Sequence, residues 1–231
     1  MLFEYEYKID MPDIKPNKKK ALFKAKKMLP EYIFDTSQLE NNPITFPEVK
    51  TLIDGITIGG HKISDVEQVL NIKNTWQMLL EKIKNNEFEV TKKMFNKVNG
   101  IIAREEALSW GQFRDGNVSV AGTHVYTPPN FTELDDIFNN EIKIVLNNFT
   151  PLEQAIRLFL WGALIQFYWD GNKRTARIMA NGVLIDNGIG IFNIKTNDIL
   201  EFNTLMIDFY ETQNANNIVR FLHQKCIDFS D

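Results

Sequence analysis

At 231 residues and 44% hydrophobic side chains, the chain can bury one large core, or a core with an appendage, and its 17 phenylalanines and four tryptophans suit a well-packed interior. A net charge of −4 gives no overall attraction to nucleic acid, and no apolar stretch reaches the roughly 20 residues needed to span a bilayer, so neither partner is expected. The lone Cys226 excludes an internal disulfide framework, and the opening Met-Leu-Phe-Glu-Tyr-Glu-Tyr-Lys lacks a signal peptide's basic and apolar regions, so the expectation is a cytoplasmic protein.

Within residues 1–32, Lys15, Lys18, Lys19, Lys20, Lys24, Lys26 and Lys27 crowd together with only Phe23 as a local stacking residue, which reads as a solvated basic arm. Residues 33–62 form the next segment. In it, Asp35 to Asn42 offers a capping start and ends at the helix-breaking Pro43, so a single short helix is expected, with Thr36 and Glu40 on one face. The glycine-containing loop 56–62 carries His61, read as solvent-exposed. A helical core is expected over 63–231. Ser64 and Glu67 read as a capping box opening a long amphipathic helix through Trp76, Leu79, Leu80 and Ile83, and a second helix is expected over about 90–107.

Residues 116–129 break the helical pattern with β-branched alternation, two glycines and a terminal Pro128-Pro129 pair, which predicts a β-hairpin. An apolar helical run follows from Pro151 to Phe167, and another from Ile178 to Ile185. Further helices are expected from a cap at Asp198 through Tyr210 and from Asn216 to Ile227; Met179, Leu184, Phe202, Leu205, Phe209, Phe221 and Leu222 are core positions, with His223 beside them in a structural role. The fold class is therefore mainly α, a helical bundle with a small β-hairpin.

Between the two apolar runs lies Gln166-Phe167-Tyr168-Trp169-Asp170-Gly171-Asn172-Lys173-Arg174-Thr175-Ala176-Arg177, which packs an acid, a glycine turn, an amide and three cations into eight positions. If Gly171 to Lys173 open the second helix, free backbone N–H groups and the positive end of its dipole face outward, as a polyphosphate needs. Arg174 and Arg177 share a helix face, and Asp170 is a hard oxygen ligand suited to Mg²⁺. On spacing alone a phosphate site and a capped helix backed by solvated cations are both open.

The segment resembles the signature of Fic-domain proteins, H-x-F-x-[DE]-G-N-[GK]-R-x-x-R, at Asp170, Gly171, Asn172, Lys173, Arg174 and Arg177. The resemblance implies transfer of AMP from ATP to a hydroxyl side chain of a target protein. It assigns Mg²⁺ to Asp170, nucleotide binding to Gly171, Asn172, Lys173, Arg174 and Arg177, and catalytic roles to residue 166, Asp170, Asn172 and Arg174. Tyr168 replaces the family's Phe, a ring that tolerates a hydroxyl given a partner. Gln166 replaces its His, the base that accepts the proton of the attacking hydroxyl, and an amide has no comparable basicity. Losing a positioned base costs on the order of 10²- to 10⁴-fold in rate.

The same resemblance gives roles to two earlier segments. Thr36 and Glu40 match the inhibitory motif [ST]-x-x-x-E-[GN], which implies that Glu40 pairs with Arg177 and restrains ATP. The predicted hairpin matches the family's flap, over which Thr123, His124, Val125 and Tyr126 would pair with a target by strand addition. His124 could face the missing base's position from across the site, although a strand histidine more simply points to solvent. Two functions follow: an adenylyltransferase restrained by Glu40 and slowed by Gln166, or a catalytically silent nucleotide-binding module of the same fold. A homo-oligomer is compatible with both, because burial between subunits could control Glu40.

Overall fold

The structure, a computed structural model, describes residues 3–230. Among them are ten α-helices, α1 (Lys18–Lys27), α2 (Leu29–Leu39), α3 (Phe46–Ile53), α4 (Ile63–Lys84), α5 (Lys92–Ile102), α6 (Leu134–Leu146), α7 (Pro151–Ile165), α8 (Asn172–Asp186), α9 (Ile199–Thr212) and α10 (Asn216–Lys225). Strands β1 (Gly190–Phe192) and β2 (Ile227–Phe229) form an antiparallel pair, with Ile191 opposite Asp228. The mainly α class is therefore observed.

The centre is the pair α7 and α8. Both are buried around nearly their whole circumference; α7 is apolar on almost every side, as a helix surrounded by protein must be, whereas α8 also buries Asn172, Arg174, Thr175, Arg177 and Asn181. Thr150 and Glu153 start α7 with a reciprocal capping box, and Pro151 occupies the first turn, where its missing N–H costs nothing. The two helices approach closely because position 162 is glycine: a Cβ there would lie 2.8 Å from the Ala176 Cβ. Helices α4 and α5 pack on α8, α6 packs on α7, and α10 joins α9 to α7. Trp161, Phe167, Phe95 and Phe138 interlock at one end, with Trp161 and Phe167 centroids 4.9 Å apart and Phe95 and Phe138 at 5.5 Å. Such aromatic pairs add about 0.5–1.5 kcal/mol each beyond area burial.

Several local expectations are corrected. The basic stretch is not a free arm: residues 18–27 form α1, whose Ala21 and Ala25 are fully buried, and Lys18 and Lys24 pair with Asp186 and Asp228 at 2.6 Å. Small side chains on one face let a lysine-rich helix lie flat on the bundle. The helix bearing Glu40 begins at Leu29 rather than Asp35, because Pro30 fits the first turn; Asp35 bonds instead across to Asn193 and Thr196. Lys62, not Ser64, precedes α4, with no side-chain cap, and α5 stops at Ile102 rather than Ala107. Asp198 makes no cap bond, and α10 ends at Lys225, so Ile227 belongs to β2.

Residues 116–129 form an irregular loop without a ladder, and the sheet lies elsewhere, between β1 and β2. The loop's polar groups bond to distant side chains rather than across a hairpin. His61 is largely covered, its Nε2 lying 2.9 Å from Glu48 Oε1. Leu205 is only half-buried, while Met179, Leu184, Phe202, Phe209, Phe221 and Leu222 are core as expected. His223 bonds the Tyr7 hydroxyl and the Asp10 carbonyl, a structural role.

Candidate functional site

The turn from α7 to α8 builds the site. Gln166 ends α7 in the left-handed region at φ 57°, and Gly171 enters α8 at φ 72°. A Cβ at 171 would meet the Ala103 Cβ at 2.8 Å, so both the backbone angle and the space require glycine. Asn172 holds the turn shut: its Oδ1 accepts from the Tyr168 N–H at 2.8 Å, and its Nδ2 donates to the Tyr168 carbonyl at 2.8 Å and to Gln166 Oε1 at 2.9 Å. Thr175 N–H makes the first helical bond, to the Gly171 carbonyl, so the amides of Asn172, Lys173 and Arg174 form the open first turn.

Both ends of the Gln166 amide are engaged, because its Nε2 also donates to the Ala163 carbonyl at 2.6 Å. Tyr168 is buried and its hydroxyl meets Asn96 Oδ1 at 2.9 Å, the partner that a tyrosine in place of phenylalanine requires. Asp170 is the exposed member of the turn: its carboxylate accepts from the Gly171 N–H at 2.5 Å and reaches Arg174 Nη2 at 3.5 Å. Lys173 is half-exposed.

The two arginines differ. Arg174 is 2% exposed and its Nη1 donates to both oxygens of Glu106, at 2.9 and 2.8 Å, while its Nε lies 3.6 Å from Glu40 Oε1. Burial alone would pull its pKa down, but Glu40, Glu106 and Asp170 together raise it above the ordinary value. Arg177 has no acceptor for its buried Nη2. Burial lowers its pKa to about 10, opposed by Glu40 and assisted by Arg174. The expected Glu40–Arg177 pair is thus corrected. Glu40 sits at the C-terminal end of α2 and takes Arg174 as its ion-pair partner, because that guanidinium lies nearer the helix end. Thr36, one turn earlier, is buried in α2.

The loop 116–129 folds back on this turn. The Thr123 hydroxyl donates to the Val120 carbonyl, the His124 and Val125 N–H groups donate to the Glu211 carboxylate, and the Tyr126 hydroxyl donates to the Leu164 carbonyl. Tyr126 stacks on Tyr210 at 5.4 Å, and burial raises the pKa of both. Val125 is 77% exposed, and His124 is exposed to solvent. Beside them a groove of about 730 Å³ is lined by Val125, Tyr126, Leu164, Tyr210 and Glu211.

Three participants escaped the sequence reading: Glu106, Arg114 and Glu211. Glu106 follows an amphipathic helix and Arg114 lies in irregular chain between Gly111 and Gly116, so neither stands out locally; only the fold brings them to residues 166–177. The arrangement suits a nucleotide. A buried guanidinium nitrogen without an acceptor and an open first helical turn are what a polyphosphate demands. Among the described residues no group of three metal-ligating side chains occurs; Mg²⁺ bridging phosphates needs only one or two carboxylates, and Asp170 is an exposed carboxylate at this turn. No helix among the described residues is long and apolar enough to cross a membrane.

This chain belongs to the Fic/DOC family, whose sequence model matches residues 65–184. Its structure is similar to that of a Fic domain-containing signaling protein from Bacteroides thetaiotaomicron, with a TM-score of 0.73 and 19% identity over 90% of this chain and 84% of the other. It is similar also to Fic-1 from C. elegans, residues 134–508, with a TM-score of 0.71 and 16% identity over 92% of this chain and 64% of that one. A Fic family protein from Desulfovibrio desulfuricans gives a TM-score of 0.69 at 16% identity, over 89% and 62% of the two chains. The chain thus spans a little under two thirds of the last two. No curated protein matches the sequence.

Proposed function

We propose that this chain is a protein adenylyltransferase of the Fic type, using ATP and Mg²⁺, restrained by Glu40 and slowed by Gln166. The observation that carries this reading is the buried, unpartnered Arg177 Nη2 beside the open first turn of α8. A desolvated guanidinium N–H without an acceptor is costly, and a phosphate oxygen is its natural complement. Arg177 and the amides of Asn172 to Arg174 would hold phosphates, and Asp170 would hold Mg²⁺, which when bound neutralises phosphate charge. Arg174 becomes available only when Glu40 and Glu106 yield it, which is how Glu40 restrains the site. A target would lie along residues 123–126, reaching the His124 and Val125 amides once Glu211 releases them.

Gln166 can orient a hydroxyl but cannot take its proton, so the residues present support positioning and charge stabilisation without a side-chain base at 166. Its amide is, moreover, held by Ala163 and Asn172. That observation favours a second reading, a nucleotide-binding module that keeps the pocket without turnover.

Equilibrium titration of ATP, with and without Mg²⁺, tests what both readings share. Saturable binding is expected, lost on Arg177→Ala, with the Mg²⁺ dependence lost on Asp170→Ala. A folded chain that binds no ATP contradicts both.

A further inference from the structure

We propose that Arg114 is a positioning residue that locks the loop 116–129 to the segment 166–169, so that an acceptor bound along the loop meets the nucleotide site in one register. What the loop presents rests on the adenylyltransferase reading; the lock does not.

Arg114 is 2% exposed, and all three of its side-chain nitrogens donate to backbone carbonyls from three separate places. Nε meets the Gln166 carbonyl at 2.6 Å, Nη1 meets the Gly116 carbonyl at 2.7 Å, and Nη2 meets the Pro129 carbonyl at 2.6 Å. Gly116 and Pro129 are the two feet of the loop, and Gln166 is the first residue of the signature. The Arg114 N–H adds a bond to the Phe167 carbonyl at 2.9 Å.

A guanidinium is a rigid fork, so these three carbonyls keep fixed relative positions as long as it stays bound to all of them. Among the described residues Arg114 has no carboxylate partner, and burial lowers its pKa. Burying a cation for carbonyl bonds alone is an expensive way to pack a loop, and apolar side chains would do that at less cost. What the fork adds is a defined geometry between loop and signature. A second set of contacts follows the same seam. Phe113 stacks on Phe167 with centroids 4.7 Å apart, Trp169 Nε1 donates to Asp115 Oδ1 at 3.2 Å, and a Cβ on Gly116 would come within 2.6 Å of the Trp169 ring.

The test uses the full chain carrying Glu40→Gly and Gln166→His, with Arg114 intact, as Arg114→Lys and as Arg114→Ala, at saturating labelled ATP and Mg²⁺. Both substitutions should speed amide hydrogen exchange at 117–128 at least tenfold without changing it in α5. Self-labelling should fall tenfold or more while the KM for ATP moves less than twofold. Millimolar guanidinium should restore part of the rate to Arg114→Ala and none to the parent. Unchanged loop exchange, or a KM for ATP that rises in step with the lost rate, overturns the proposal. If the parent transfers no AMP, the adenylyltransferase reading fails separately, and exchange still decides: acceleration confined to the loop and residues 166–169 supports the lock, whereas uniform acceleration overturns it.

Discussion

Glu106 and Arg174 form a two-pronged ion pair, with Arg174 Nη1 donating to both carboxylate oxygens at 2.9 and 2.8 Å, and Gln68 Nε2 adding a bond to Glu106 Oε2 at 2.8 Å. Removing one partner of a buried pair strands the other, at a cost of roughly 3–5 kcal/mol when fully enclosed. The Glu106 carboxylate is 18% exposed and Arg174 keeps Glu40 and Asp170, so Glu106→Ala is expected to lower stability by about 2 kcal/mol, read by urea denaturation. An unchanged midpoint would mean that the pair is not formed in solution.

Gly171→Ala should be more damaging to function than its size suggests. The position needs φ 72° and leaves 2.8 Å between a new Cβ and the Ala103 Cβ. Strain and overlap together should cost about 2 kcal/mol and displace the amides that open α8. Thermal melting and ATP titration should therefore both shift, whereas a stability loss with unchanged ATP affinity would separate the turn from the nucleotide.

Much of this site was readable from the chain because it is local. The acid, glycine, asparagine and arginines of 170–177 act within one turn and one helix, so their spacing carries their geometry. The central helices were legible for the same reason: long apolar runs, a Thr150–Glu153 box and Pro151 all act within a few residues. What could not be read depends on distance. Glu106, Arg114 and Glu211 join the site from 60 or more residues away or from irregular chain, and β-branched alternation at 116–129 gave way to side-chain and carbonyl bonds made by the bundle. Glu40 was placed on its helix, but its choice of Arg174 over Arg177 depends on where α2 ends relative to α8.

Tyr168→Phe restores the family's residue yet should weaken this chain. The hydroxyl bonds Asn96 at 2.9 Å, and its loss strands that amide oxygen, at about 1 kcal/mol. Denaturant unfolding reads the loss, and ATP affinity should stay constant because the hydroxyl faces α5 rather than the open turn.

Glu48 gives a pH signature. Bonds from the Thr45 side chain, from His61 and from the Thr45 backbone hold its carboxyl down from 4.5 to about 2. A depressed folded-state value stabilises the native state above the unfolded value, and that contribution fades as pH falls from 4.5 through about 2. Glu48→Gln should therefore unfold more easily near neutrality, and its deficit relative to the parent should shrink across that window in acid titrations followed by circular dichroism. A deficit independent of pH would assign the effect to packing instead.

The most direct measurement is AMP incorporation from labelled ATP and Mg²⁺ into the parent chain, Glu40→Gly, Gln166→His and the double variant. A braked enzyme slowed at residue 166 predicts no label or a trace on the parent, weak label on Glu40→Gly, and at least a hundredfold more on the double variant. Absence of label from all four, in proteins that still bind ATP, would contradict adenylyl transfer and leave the nucleotide-binding module.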